Sequence, residues 1–578
     1  MINLTIDGMP VQVDDGATIM DAATKLNIYI PTLCYHPDQD VKANCRICVV
    51  ELEGMRRLVP ACSHPAEEGM AIRTHSPKVQ RTRRNVLELI LARHAQDCLH
   101  CDRSGTCELQ TVSEELHFVH TPRYPYAPRL NVKDESSASI VRDSHKCIVC
   151  GRCRYACSDI QSVNALAKAD RGFKVSFAPA YNRPLGDSVC ITCGQCVQAC
   201  PTGALTIRDD TQKVWRAMDK PEKLVVAQVA PAVRITLAEA LGEAPGTIST
   251  GRLVTALKRV GFHQVFDTDF TADLTIMEEG TELLHRLNNG GKLPMITSCS
   301  PGWIKFCETF YPDLIPNLST CKSPQQMFGA LLKTYYAEKI GKAPQDIFSV
   351  SIMPCTAKKF EAARPEMGRY GLRDMDVVLT VQELARMIRS SGISFGLLPE
   401  TEFDLPFGIG TGAGEIFGAT GGVMEAALRT VYEVVTGKTL EHIEFTGVRG
   451  FAGIKEAVVP VGDLNVKVAV AHGLGNARKL MDRIRAGEAD YHFIEVMACP
   501  GGCIGGGGNP IKNWKKMDKR LGAVYVEDGA LQIRKSHENP AVTALYDEYL
   551  GSPNGHRSHD LLHTAYTDRS HLLGMPEE

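Results

Sequence analysis

The chain has 578 residues, 44% hydrophobic and 23% charged, and its 64 Lys+Arg against 67 Asp+Glu leave a net charge of −3. That length suggests roughly four domains, and the composition is that of an ordinary globular chain. The near-neutral balance excludes the global basic field expected of a nucleic-acid or acidic-membrane binder, and no apolar run reaches the roughly 18 residues of a membrane span. The opening stretch, MINLTIDGMPVQVDDGATIMDAA, reads as a strand pair entering a helix. It has neither a basic start nor an apolar core, so no secretory leader is expected and the expected location is the cytoplasm.

Twenty-one cysteines set the class, and fifteen of them lie between Cys34 and Cys200. In a long chain without a leader, clustered cysteines are metal ligands or catalytic groups rather than a disulfide framework. Residues 1–78 carry Cys34, Cys45, Cys48 and Cys62 in the spacing C-x10-C-x2-C-x13-C. One two-cysteine loop before a strand, with two distant partners, suits a 2Fe–2S centre in a small sheet domain. Structural zinc is the alternative, but zinc ribbons pair two such knuckles.

Residues 79–125 contain an amphipathic helical pattern (Val86, Leu87, Ile90, Leu91) ending at His94, then Cys98, Cys101 and Cys107. Three thiols without a fourth nearby predict His94 as the remaining ligand of a 4Fe–4S cluster, with His100 as the rival. A neutral imidazole in place of a thiolate raises a cluster's potential.

Residues 126–210 repeat C-x2-C-x2-C-x3-C, at Cys147, Cys150, Cys153, Cys157 and at Cys190, Cys193, Cys196, Cys200, followed by Pro201. In this two-cluster pattern the fourth cysteine serves the other centre. Cys147, Cys150, Cys153 and Cys200 are expected to hold one 4Fe–4S cluster, and Cys157, Cys190, Cys193 and Cys196 the other. Four accessory centres, one 2Fe–2S and three 4Fe–4S, make an electron wire.

Beyond about residue 211 the pattern changes. KLVVAQVAP, MITSC, FSVSIMPC, DVVLT, VKVAVAHG and HFIEVMAC read as buried strands alternating with helical or glycine-rich stretches. The fold class expected is therefore multidomain, α+β iron–sulfur domains followed by a large α/β domain (211–535) with largely parallel strands. Ligands bind such sheets beyond the carboxyl ends of strands. Cys299, Cys355, Cys499 and Cys503 follow strands, which predicts one convergent site. Cys307, on the helical GWIKFCETF, reads as a small core residue.

TSCSPGW (297–303), MPCTAKKFE (353–361) and MACPGGCIGGGGNP (497–510) are similar to the three signature segments of iron-only (FeFe) hydrogenases. The whole chain resembles the large modular form of that family, including the catalytic subunits of electron-bifurcating or NAD(P)-linked members. The resemblance implies reversible conversion of two protons and two electrons to dihydrogen at an H-cluster, a 4Fe–4S cubane bridged to a two-iron site with CO, cyanide and azadithiolate. It implies Cys503 as the bridge, Cys355 and Cys499 on the cubane, and Lys358 as a donor to cyanide. Pro231, Pro324, Met353, Phe417 and Met497 would form an apolar wall, and Gly505–Gly508 would bring backbone amides close to inorganic sulfur or cyanide. The family proton relay maps onto Cys299, Glu279, Ser319, Glu282 and Arg286. Glu279, Glu282 and Arg286 fall at i, i+3, i+7, one helical face, though the same spacing suits an exposed Glu–Arg pair.

At one position this chain departs from the family, with Ser300 where a cubane-ligating cysteine is the pattern. Ser300-Pro301 is also a good helix start. Cys321 is expected as the fourth ligand ahead of Ser300, because a soft thiolate suits iron–sulfur clusters better than a hydroxyl, and Cys299 comes last because it fits best as the proton donor of the relay. The tail, 536–578, resembles the small-subunit segment of the family, with His559, His563 and His571 expected at the surface. The resemblance further implies ferredoxin and a separate flavin, NAD(P)-binding subunit as partners, because the glycines of FGIGTGAGEIFGATGG lack a clean preceding strand. A non-enzymatic electron-transfer subunit, like the iron–sulfur arm of a NADH dehydrogenase, accounts for 1–209 but leaves Cys355, Cys499 and Cys503 without a role. The retained proton path argues against a hydrogenase-like sensor or assembly protein.

Overall fold

A computed structural model describes residues 1–118, 123–127, 133–462 and 464–574. The chain divides into two compact units: 1–159, 164–188 and 199–206 form the first, and 160–163, 189–198 and 207–578 the second.

The first unit opens with a five-stranded sheet of β1 (Ile2–Ile6), β2 (Met9–Val13), β3 (Val49–Leu52), β4 (Val59–Pro60) and β5 (Ala71–Arg73), in the order β2-β1-β5-β3-β4. β1 pairs antiparallel with β2 and parallel with β5. Alternate residues Leu4, Ile6, Val11 and Val13 point into one core with Ile19, Met20, Ala22 and Ala23 of helix α1 (Ile19–Lys25), the period-2 and period-3.6 patterns meeting. A capping box between Thr18 and Asp21 starts α1, satisfying otherwise orphaned amides. Helix α2 (Pro77–Leu91) begins with Pro77 at its first position after the Ser76 cap and ends three residues before His94.

The second unit contains two four-stranded sheets. One has the order Gln264–Asp267, Leu224–Val229, Ile347–Met353, Val377–Thr380, with every pair parallel. The other has the order Met295–Ile296, Phe493–Met497, Leu464–His472, Ile454–Val461, and only its last pair is antiparallel. All six sequence-read strands are present. Gln264–Asp267 and Ile454–Val461 are additional: the first is only four residues long, and the second alternates buried with exposed positions at an edge. The strands buried on both faces are apolar runs, as covered parallel sheets require. Helices α3 (Pro231–Ala240), α4 (Thr268–Asn289), α5 (Pro301–Phe310) and α6 (Gly422–Thr436) pack around these sheets.

The tail is built into this unit. The Lys322 amide donates to Leu562 O (2.7 Å) and the Thr564 amide to Thr320 O (2.8 Å), so Cys321 and His563 face each other across an antiparallel bridge. Farther along, the Arg569 guanidinium reaches buried Glu308 at 2.8 Å. Among the described residues, no helix is long and apolar enough to cross a membrane.

Candidate active site

The carboxyl ends of strands Met295–Ile296, Ile347–Met353 and Phe493–Met497 converge on a cavity of about 90 Å³. Cys299, Ser300, Cys355, Cys499 and Cys503 line it, as does Cys193 of the second ferredoxin-type motif. Cys503 sits on a single helical turn, Cys503–Gly505, rather than at the strand end itself. Pro231, Pro324, Met353, Phe417 and Met497 supply the apolar wall and Lys358 the charge. Burial pushes the Cys355 and Cys503 thiols up, Cys503 to about 12, and a neighbouring thiol adds to the shift in each. Burial likewise raises Cys499. Thiols that resist ionisation alone, crowded in an apolar hollow, are what a cationic iron–sulfur core relieves, since metal binding displaces the thiol proton.

The glycine-rich loop serves packing more than the expected exposure of its amides. Gly505 N–H donates to Gly502 O (3.0 Å), Gly506 N–H to Cys503 O (2.9 Å) and Gly508 N–H to Pro354 O (2.8 Å). Gly507 N–H is the exception, directed at the Cys499 sulfur, whose pKa it lowers. A Cβ on Gly506 would meet Pro354 O at 2.3 Å, and one on Gly507 would meet Cys193 O at 2.5 Å. The backbones approach too closely there for any side chain.

Lys358 Nζ donates to Cys299 O (3.1 Å) and to both Glu361 oxygens (3.0 and 3.2 Å), which fixes its position at the cavity wall. Ser300 precedes Pro301 at the start of α5, yet its hydroxyl makes no capping bond. It accepts instead from the Ala498 amide at 3.2 Å, tying the two cysteine-bearing segments together.

The first-ranked candidate for the fourth cubane ligand needs correction. Cys321 is fully buried in the hydrophobic core, outside the cavity lining, and its sulfur lies 3.8 Å from Glu282 Oε2. The bridge to His563 holds it there. Ser300 and Cys299, ranked below it, both reach the cavity. Cys307 is fully buried in α5, also outside the lining.

Glu279, Glu282 and Arg286 share one face of α4. Arg286 Nη2 donates to Glu282 Oε1 (2.5 Å) and Ser319 Oγ to Glu282 Oε2 (3.0 Å), so these three form a continuous chain. Glu279 is 1% exposed, and its carboxylate oxygens have no partner at full hydrogen-bond geometry, though the Ser319 hydroxyl and the Ser298 amide are directed at them. Burial raises this carboxyl from 4.5 to about 8; the nearby Ser319 hydroxyl draws it partly back and the Glu282 charge pushes it up. A buried carboxyl poised near neutrality is suited to passing protons, and this one lies near Cys299 of the cavity lining. Burial raises the Cys299 thiol strongly, and the Glu279 charge adds to it.

In the first unit, Cys48 Sγ stands 3.4 Å from Cys62 Sγ, and the Cys45 amide donates to Cys34 Sγ at 3.4 Å. Cys98 and Cys101 flank a short helical turn, and Cys107 caps the helix Glu108–Glu115. His94 is 7% exposed, whereas the His100 ring lies at the surface, 2.7 Å from Asp97 Oδ1. Cys147, Cys150, Cys153 and Cys200 line one small cavity, bringing the last cysteine of the second motif to the first three of the first. Cys157 belongs to the first unit, and Cys190, Cys193 and Cys196 to the second.

Glu495 escaped sequence reading, and His563 was placed wrongly by it. Glu495, fully buried in strand Phe493–Met497, accepts from the Gly421 amide (2.7 Å) and the Met424 amide (2.8 Å), anchoring the start of α6. The signal was a lone glutamate inside the apolar run FIEVM. His563, expected at the surface, is buried against Glu278; His559 and His571 are exposed. The glycine stretch from Phe407 to Gly422 forms helical turns at Gly412–Glu415 and Ile416–Gly418.

Known protein families match along the chain: iron only hydrogenase large subunit, C-terminal domain (223–507), and iron hydrogenase small subunit (514–569). A 2Fe–2S cluster-binding domain matches 1–77, the iron–sulfur region of NADH-ubiquinone oxidoreductase G matches 83–122, and a 4Fe–4S dicluster domain matches 146–204. The chain is 50% identical to the NADP-reducing hydrogenase subunit HndD of Solidesulfovibrio fructosivorans, over 99% of this chain and 100% of that one. The chain belongs to the iron-only hydrogenase family. Iron hydrogenase 1 of Clostridium pasteurianum is 41% identical over 98% of this FeFe hydrogenase and 100% of its own length. The solved apo FeFe-hydrogenase HydA1 of Chlamydomonas reinhardtii covers 62% of this hydrogenase and 99% of its own chain, at 47% identity and a TM-score of 0.57. This chain is therefore an FeFe-hydrogenase catalytic subunit, with the family's H-cluster domain preceded by 2Fe–2S and 4Fe–4S domains.

Proposed function

We propose that this chain reversibly converts dihydrogen into two protons and two electrons at an H-cluster that Cys355, Cys499, Cys503 and Ser300 would hold. The carrying observation is the convergence of these residues on one cavity under an apolar wall, with the raised carboxyl of Glu279 near Cys299 of its lining. When bound, the H-cluster supplies the redox chemistry that splits or forms dihydrogen. The chain's own side chains do the rest. Pro231, Pro324, Met353, Phe417 and Met497 exclude water, and Lys358 offers an ammonium held by Glu361. Cys299 exchanges a proton with Glu279, and Ser319, Glu282 and Arg286 carry the line outward. Choosing Ser300 leaves Cys299 free for that task.

Four accessory centres would supply the electron path. The ligand sets are Cys34, Cys45, Cys48 and Cys62 for 2Fe–2S, then His94, Cys98, Cys101 and Cys107, then Cys147, Cys150, Cys153 and Cys200, then Cys157, Cys190, Cys193 and Cys196 for three 4Fe–4S. Cys193 at the cavity supports the last as the neighbour of the active site. Ferredoxin and a separate flavin subunit that binds NAD(P) are the proposed partners. The printed name of the NADP-reducing relative supports this, as do the helical turns formed by the glycine stretch. The cytoplasm is the proposed location.

The test is infrared absorption of the matured chain in the region of metal-bound CO and cyanide, with dihydrogen oxidation followed by viologen dye. Absence of those bands from active protein overturns the proposal. Robust NAD(P)+ reduction by the isolated chain overturns the separate nucleotide subunit.

A further inference from the structure

The relay carboxylate Glu282 has a neighbour that the outward line does not use. Thr320 Oγ1 donates to Glu282 Oε2 (3.3 Å) and lies 2.7 Å from His563 Nδ1. On the other edge of the ring, His563 Nε2 lies 3.1 Å from Glu278 Oε2. Glu278 is fully buried and also accepts from the Tyr546 hydroxyl (2.5 Å) and the Asn554 amide (2.8 Å). Two buried carboxylates one turn apart on α4 are thus joined through the Thr320 hydroxyl and an imidazole that the tail contributes.

Thr320 directs its single hydroxyl proton at Glu282, so Nδ1 must be the donor to Thr320. That leaves Nε2 to accept, in the tautomer sense, or to carry a second proton towards Glu278. With its side-chain amide turned to satisfy its neighbours, Asn554 faces both Nε2 and Glu278 Oε2 at 3.0 Å and its oxygen accepts from the Glu282 amide; in the Nδ1–H form Nε2 accepts from Glu278 when that carboxyl carries the proton and from Asn554 when it does not.

We propose that the proton relay forks at Glu282, and that Thr320, His563 and Glu278 form a buried side arm that stores one proton beside the main line. Filling Glu282 from the store breaks Glu278 Oε2–H and makes Nε2–H. It breaks Nδ1–H and makes a new Thr320 Oγ1–H, and it breaks the old Thr320 Oγ1–H and makes Glu282 Oε2–H. One proton moves and no electron does; dihydrogen oxidation reverses the order with the donors turned. The function fits a reaction that handles two protons along a line that passes them singly. Glu282, Cys321 and His563 also lie within 4.8 Å of one another as possible metal ligands, but both imidazole nitrogens already face hydrogen-bond partners, which favours a proton over a cation. The other groups facing the imidazole are Cys321 and the stacked ring of His559, 4.4 Å away; Tyr546 faces Glu278.

This arm rests on the relay reading above. The test compares His563→Gln and Thr320→Val with the intact chain, singly and together. Both singles should slow dye-linked dihydrogen oxidation by less than the roughly 10²-fold expected for a main-line group, and change the shape of the pH profile in the same way. The double variant should be no slower than the slower single, the mark of one shared path. Independently of activity, pH-difference infrared spectra of the apo chain should contain a carboxyl band lost in Glu282→Gln and shifted in both singles. Profiles and band unchanged by His563→Gln and Thr320→Val, with Glu279→Gln still slow, overturn the arm alone. Normal turnover in Glu279→Gln overturns the relay itself. Additive losses in the double variant, with an unshifted band, also overturn the arm.

Discussion

Replacing Glu279 by glutamine keeps the side-chain volume and removes the carboxyl that burial raises to about 8. Between about 4.5 and about 8 the folded chain retains a proton that the unfolded chain has released, so stability falls as pH rises through that window. Each pH step there costs about 1.4 kcal/mol. From pH 6 to pH 8 the intact chain should therefore lose on the order of 2–3 kcal/mol that Glu279→Gln does not lose. Function should move the opposite way, with dye-linked dihydrogen oxidation falling roughly 10²- to 10⁴-fold, the usual scale for a positioned acid–base group. The assay is thermal unfolding of both apo chains at pH 6 and pH 8, with turnover and iron content measured on matured protein. The gap in unfolding temperature should widen with pH in favour of the variant, at unchanged iron. A gap that stays constant refutes the raised carboxyl, and near-normal turnover refutes the relay.

Cys321→Ala should keep the full active-site iron, whereas Ser300→Ala should lose or spectroscopically alter the cubane and Ser300→Cys should retain it; iron counts and electron paramagnetic resonance on each decide between them. Cys200→Ala should remove one accessory 4Fe–4S signal, because its sulfur shares a cavity with the first motif, and an intact set of signals would break that assignment. His94→Ala should lose an accessory cluster and His100→Ala should not, as read by iron content. Gly507→Ala forces a Cβ against Cys193 O, so the second unit should unfold at lower denaturant, by about 1–3 kcal/mol as overpacking typically costs.

Most of the site was readable because its chemistry sits in short contiguous spacings. Three thiols at strand ends, two ferredoxin-type repeats and one helical face of carboxylates need only local periodicity. Contacts between distant segments were not readable. Cys321 looked free to bind iron because its bridge to the tail, more than two hundred residues later, leaves no local trace. His563 looked like a surface group for the same reason, since its burial depends on Glu278 and Thr320. Ser300 carried the residues of a helix cap, and only the position of Ala498 shows its hydroxyl turned elsewhere. The missed strands follow similar logic: Gln264–Asp267 is too short to stand out, and Ile454–Val461, at an edge, alternates rather than running apolar.

The tail that pairs with residues 320–322 matches a family described as a small subunit. Here it is continuous with the catalytic segment. A separate subunit would dock with an affinity that dilution weakens, but covalent continuity turns docking into an intramolecular event at a fixed effective concentration. The wall beside Glu282 should then assemble to the same extent at any protein concentration, and its loosening should follow local unfolding of the tail rather than dissociation.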